Sequence, residues 1–181
     1  MRSQLTDKTI TVWGLLRPRL LNLLKTLHSH GKLHTEKPPL PDLTAKRRSI
    51  FIRHLDCGSC NGCELELNAL NNPIYDLERF GIQFEASPRH ADVLVMTGPF
   101  TRNLEEAARL TFDAMSEPRR IVTIGDCAKD GGIFKDSYAV TTRPPEIEAV
   151  IQATNIHVAG CPPAPEEILK ALVKLPPMSS A

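Results

Sequence analysis

What this 181-residue chain has little of narrows its function first. Excess charge is almost absent, with 22 Lys and Arg against 21 Asp and Glu and a net charge of +1. That balance argues against a nucleic-acid binder driven by phosphate neutralisation. Aromatic residues reach only 5%, too few for a base-stacking surface. No uninterrupted apolar run is long enough to span a bilayer. The start, MRSQLTDKTI, lacks the basic region and apolar stretch of a cleavable secretory signal. Cysteine is scarce and odd in number, at five. The chain is therefore expected in a reducing compartment, where cysteines serve metals or catalysis more often than disulfides. KRRSIF at 46–51 has the look of a twin-arginine export signal, but Arg53, His54 and Asp56 follow at once. It reads as a basic linker entering a strand.

What is present is the composition of a soluble globular protein, 41% hydrophobic and 24% charged, with length for one sizeable core. The first 47 residues differ from the rest. Across residues 11–28, Trp13, Leu16, Leu20, Leu23, Leu24 and Leu27 form an apolar stripe spaced three and four apart. Arg17, Arg19 and Lys25 interrupt it, so the helix is expected to lie on a membrane interface, on a partner subunit or in a core rather than to cross a bilayer. Residues 31–47 are proline-rich and charged and read as an extended linker. Two parts follow: residues 1–47 as helix plus linker, and 48–181 as the folded domain.

From Arg48 on, strands and helices alternate. SIFIRHL, GIQFEAS, ADVLVMTG, RRIVTIGDC and IHVAGC read as strands. Helices are expected from about Asn61 to Leu70, over 103–116 with Asn103 as N-cap, from Pro144 and Pro145 to about Ala153, and over APEEILKALVKL. This alternation predicts an α/β fold, an open flavodoxin-like parallel sheet with helices on both faces.

The cysteines fall where such a sheet would use them. Cys57, Cys60 and Cys63 follow the first strand, Cys127 closes RRIVTIGDC, and Cys161 closes IHVAGC. The carboxyl ends of parallel strands share one edge, so residues far apart in sequence meet there. Converging thiolates would hold a tetrahedral zinc or an iron–sulfur cluster. Structural zinc sites usually pair two short CxxC hairpins, whereas only one hairpin exists here and the other cysteines stand singly. That favours the cluster. Glycines such as Gly62 and Gly125 flank the cysteines, and Pro162 and Pro163 follow Cys161. Glycine lets backbone amides approach sulfur closely.

Four stretches carry a family likeness: CxGCE at 60–64, SPRHADVLVMTG at 87–98, GDCAKDGGIF at 125–134 and GCPPAPEEIL at 160–169. In this order they resemble the small [4Fe–4S] subunit shared by complex I, where it is the 20 kDa type, and group 4 membrane-bound [NiFe] hydrogenases such as formate hydrogenlyase. Complex I proteins carry two adjacent cysteines where this chain has Gly62 and Cys63, so the hairpin is of hydrogenase form.

The resemblance implies one [4Fe–4S] cluster ligated by Cys60, Cys63, Cys127 and Cys161, with Cys57 spare or an added ligand. It implies an electron-transfer role beside a large catalytic subunit, with a ferredoxin-like relay subunit and membrane-arm subunits as neighbours. The location implied is peripheral, on the cytoplasmic face of the membrane. The overall reaction would be proton reduction or hydrogen oxidation coupled to ion translocation, or quinone reduction as in complex I. Glu64 and Glu66 sit in the helix after the hairpin, where negative charge suits a helix N-terminus or could serve proton movement to the partner. Arg89 belongs to the shared SPR motif and is expected as a donor close to the ligands. His90 reads as a surface residue, and Asp126 and Asp130 as loop caps.

Overall fold

The structure, a computed structural model, describes residues 49–175. The expectations for residues 1–47 lie outside the described residues. Five strands form one parallel sheet: β1 (Ile50–Asp56), β2 (Ile82–Phe84), β3 (Val93–Thr97), β4 (Ile121–Ile124) and β5 (Ile156–Val158). Their spatial order, β2-β1-β3-β4-β5, is the flavodoxin-like order. The helices are α1 (Gly62–Ala69), α2 (Glu105–Asp113), α3 (Asp126–Asp130), α4 (Pro145–Thr154) and α5 (Pro165–Val173). Short 3-10 turns occupy Leu77–Phe80, Pro88–His90 and Gly132–Phe134.

Alternate residues along each strand point to opposite faces, and both faces are covered. All five residues of β3 are buried for this reason. Val93 and Val95 join Ile52, Val122 and Ile124 in a core closed by Leu67 of α1 and Ile168, Leu169 and Leu172 of α5. Leu94 and Met96 join Leu55 and Ile121 in a second core closed by Phe112 of α2 and Ile147 of α4. Thr97 and Thr123 are the polar residues buried in the two central strands, and histidines from the neighbouring strands satisfy both. His54 meets Thr97 at 2.9 Å, and His157 meets Thr123 at 3.0 Å.

Two boundaries differ from expectation. α2 begins at Glu105 after Leu104, so Asn103 is not its N-cap. β4 ends at Ile124, because Gly125 leaves the extended region at φ 86°, and Cys127 lies on α3 beyond the strand. Among the described residues, no helix is long and apolar enough to cross a membrane.

Candidate metal centre

Three loops at the carboxyl edge of the sheet carry the cysteines: one after β1, one after β4 and one after β5. The loop after β1 is built by its own polar groups. Asp56 Oδ1 accepts from the N–H groups of Gly58 and Ser59, both at 2.7 Å, which folds the chain back toward α1. Glu64, in the first turn of α1, then ties that helix to the sheet. Its carboxylate accepts from the hydroxyls of Ser59 and Thr97, and His54 Nε2 lies 3.5 Å from it. Ser59, Glu64, Thr97 and His54 thus form one polar chain from the cysteine loop into the sheet.

The other two loops are stitched to each other. Gly125 N–H donates to Val158 O at 2.8 Å, and Asp126 N–H to Gly160 O at 2.9 Å. Asp126 Oδ1 accepts the Gly160 N–H at 2.8 Å, and Asp130 Oδ1 accepts from Gly132 at 3.0 Å. Both aspartates hold loops, as their positions suggested. The α1 hairpin abuts the third loop: a Cβ on Gly62 would stand 3.6 Å from Cys60 Sγ and 3.7 Å from Pro162.

The sulfur atoms of these loops share one environment. Burial pushes the Cys63 thiol up to about 12, and Glu64, Cys127, Cys60 and Cys161 push it the same way. Burial likewise raises Cys127, with Cys161 and Cys60 adding to it, while a backbone N–H of Ile133 draws it down. Cys63 and Cys127 are thus held as neutral thiols, by burial first and by their neighbours second. Among the described residues, no three His, Cys, Asp or Glu side chains gather tightly enough to hold a single metal ion.

The backbone leaves room around these sulfurs only because it is glycine there. A Cβ on Gly125 would stand 2.6 Å from Cys63 Sγ, and one on Gly132 would stand 2.9 Å from Cys127 Sγ. Thiol donors on three loops and close-lying glycine backbone fit the iron–sulfur group that the resemblance implies. Cys60 and Cys161 are exposed and Cys63 is buried, so the site is half open.

Cys57 stands apart from this set. It is 1% exposed and packs with Leu55, Leu94 and Phe100 on the other face of the sheet. Burial first, then Asp56, raises its thiol to about 12, and none of the other four cysteines contributes.

Of the remaining candidates, Glu66 is half-buried on α1 and has no hydrogen bond or ion pair to another described side chain. Arg89 is not brought to the site. It is exposed in the turn before β3, at the amino ends of the strands. The five residues of β3, at about 3.3 Å each, separate it from the cysteine edge. His90, beside it, is exposed as expected.

Sequence reasoning also missed Arg143. Its guanidinium donates to the carbonyls of Ala128 and Lys129 and to Glu148, and it lines a cavity of about 370 Å³ with Cys127 and Phe100. No motif marks it. The short helix after Gly125, with carbonyls that need donors, is the signal that would have pointed there.

A flavodoxin-ordered sheet with cysteines on three loops at its carboxyl edge defines the class: a doubly wound α/β protein with a cysteine-lined candidate site. Residues 60–175 match the family described as NADH ubiquinone oxidoreductase, 20 Kd subunit, and the chain belongs to that family. It is 40% identical to formate hydrogenlyase subunit 7 of Escherichia coli over 68% of this chain and 47% of that protein. The chain thus spans about half the length of that relative. It is also 40% identical to a probable membrane-bound hydrogenase subunit of Pyrococcus furiosus, over 70% of this chain and 73% of the relative. Among solved structures it resembles a chain of the membrane-bound sulfane sulfur reductase, an archaeal respiratory membrane complex. That likeness has a TM-score of 0.55 at 28% identity and covers 73% of this chain and 72% of the other.

Proposed function

We propose that this chain is the electron-transfer subunit of a membrane-associated, hydrogenase-type complex, holding one [4Fe–4S] cluster on Cys60, Cys63, Cys127 and Cys161. The observation that carries the reading is that cysteines on three strand-end loops reach one edge of the sheet, where only glycine at positions 125 and 132 leaves room beside Cys63 and Cys127. When bound, such a cluster supplies one-electron chemistry at a potential set by its surroundings. The chain's own part is to fix the sulfurs and aim backbone N–H groups at them. It also keeps Cys63 out of water while leaving Cys60 and Cys161 at the surface for a partner.

The reaction itself belongs to a large catalytic subunit. Proton reduction or hydrogen oxidation coupled to ion translocation is the reading favoured by the two hydrogenase relatives and by the CNGC hairpin. The family description favours a second reading, quinone reduction in a complex I-like assembly. The solved neighbour, named for sulfane sulfur reduction, supports the view that the partner sets the chemistry. CxxC pairs near both ends of the large subunit's sequence, able to hold nickel, would decide for hydrogen.

A ferredoxin-like relay subunit and membrane-arm subunits complete the proposed assembly, on the cytoplasmic face. Within it, the apolar stripe of residues 11–28 seats the complex on the membrane or on a membrane subunit. Deleting residues 1–47 should free the catalytic module from membranes and preserve its spectrum, and unchanged attachment would count against this.

Anaerobic purification with iron and acid-labile sulfide analysis tests the central claim. Equal iron and sulfide are expected, with a low-temperature paramagnetic signal that disappears in Cys127→Ser and Cys161→Ser and persists in Cys57→Ser. Zinc without sulfide, or a signal that survives the loss of Cys127, refutes it.

A further inference from the structure

We propose that Arg143 is the positioning residue of the Cys127 arm, and that its charge, balanced by Glu148, sets how readily the cluster takes up an electron. This rests on the four-cysteine reading above.

Cys127 is carried by α3, a helix of only five residues. So short a helix ends in carbonyls that no further turn can reach. Arg143 supplies the missing donors: Nη1 donates to Ala128 O at 2.5 Å and Nη2 to Lys129 O at 2.7 Å. Its Nε donates to Glu148 Oε2 at 2.8 Å, and Glu148 belongs to α4. Three bonds from a planar fork, to partners on two elements, leave the guanidinium little freedom. Its side chain is 17% exposed, so water screens the charge only in part.

Arg143 and Cys127 both line the cavity of about 370 Å³, with Thr141 and Phe100 between α3 and the chain leading to α4. Glu148 shares that cavity wall and carries the opposite charge. Burial alone would raise its carboxyl, but Arg143 outweighs that and holds it below the usual carboxylate range.

Reduction of a cluster held by Cys127 and its partners would add one negative charge to the site. A fixed cation there favours it and a fixed anion opposes it. Arg143 thus has two separable roles, one mechanical through the carbonyls of α3 and one electrostatic through its charge.

The test uses the purified complex carrying Arg143→Gln, Arg143→Lys or Glu148→Gln. Iron and sulfide are counted in each, and the midpoint potential of the paramagnetic signal is followed by redox titration. Arg143→Gln should lower the equilibrium constant for reduction roughly three- to tenfold, about 30–60 mV for a one-electron couple. Glu148→Gln should raise it by a similar factor. Arg143→Lys keeps the charge and loses the fork, so its potential should stay near the parent's. Unmoved potentials in Arg143→Gln and Glu148→Gln, or shifts of the same sign in both, overturn the inference while the counted iron leaves the four-cysteine reading standing. A shift in Arg143→Lys as large as in Arg143→Gln overturns the electrostatic role. If Arg143→Gln loses its iron, the sign of the shift in Glu148→Gln decides alone. A parent complex without iron and sulfide defeats both readings.

Discussion

Replacing Gly125 by alanine puts the geometry of the cysteine site to a direct test. Gly125 sits at φ 86° and ψ 152°, in a region that only glycine occupies without strain. An alanine held there costs about 1–3 kcal/mol in backbone strain. Its Cβ would also stand 2.6 Å from Cys63 Sγ and 3.5 Å from Gly160 O, the first well inside ordinary contact. Overpacking of this kind costs a further ~1–3 kcal/mol, or else Cys63 moves. The sum, about 2–6 kcal/mol, is a large share of the ~5–15 kcal/mol by which a domain is stable. Gly81 is the control: it is also left-handed, at φ 71°, and a Cβ there meets nothing within 4 Å. Gly81→Ala should therefore cost only about 1 kcal/mol and leave metal content unchanged. Urea unfolding of both variants, with iron analysis of each, separates strain from contact. If Gly125→Ala loads iron fully and is no less stable than Gly81→Ala, the close approach to Cys63 is not part of the native site.

Two further expectations follow from buried polar groups. Glu64→Ala removes the acceptor of the Ser59 and Thr97 hydroxyls, leaving Thr97, which is 0% exposed, only its contact with His54, and should cost about 1–2 kcal/mol by urea unfolding. Glu64→Gln should recover part of that, and a loss in the alanine variant below about 0.5 kcal/mol would mean that solvent serves these groups equally well. Stability should also fall as the pH drops from about 6.5. His54 and His157 are both held below the ordinary histidine value, by burial first, with Lys129 adding to the effect on His157. A histidine whose native pKa is depressed takes up its proton first in the unfolded chain. Stability is therefore complete above about 6.5 and is lost as the pH falls toward the native values. Replacing both by glutamine should flatten the metal-free protein's stability as the pH falls below about 6.5, and an unaltered slope there would contradict the assignment.

The sheet and the place of the cysteines were readable because both follow from one regularity. Val93 to Met96 are apolar without alternation, which marks a strand covered on both faces and hence a parallel sheet. Parallel strands then deliver their carboxyl ends, and with them the cysteine loops, to one side. The same regularity, followed further, would have placed Arg89 correctly: it precedes Val93, so it must lie at the opposite end. Less was readable where tertiary contacts decide. Whether RRIVTIG continues into Cys127 or breaks before it depends on the hydrogen bonds from Gly125 to Val158 at the end of β5 and from Asp126 to Gly160 just beyond it, both far along the chain. The partners of Thr97 and Thr123 depend on strand order, and Arg143 on a gap that exists only once α3 has formed.

Because Cys60 and Cys161 lie open while Cys63 is enclosed, the proposed metal centre would have a wet side and a dry side. Water at the open rim stabilises the more negative, reduced form, so a neighbour that covers the rim makes electrons harder to add. The isolated subunit should then be the easier one to reduce, and assembly itself would act as a voltage setting, made by exclusion of solvent rather than by any residue of this chain.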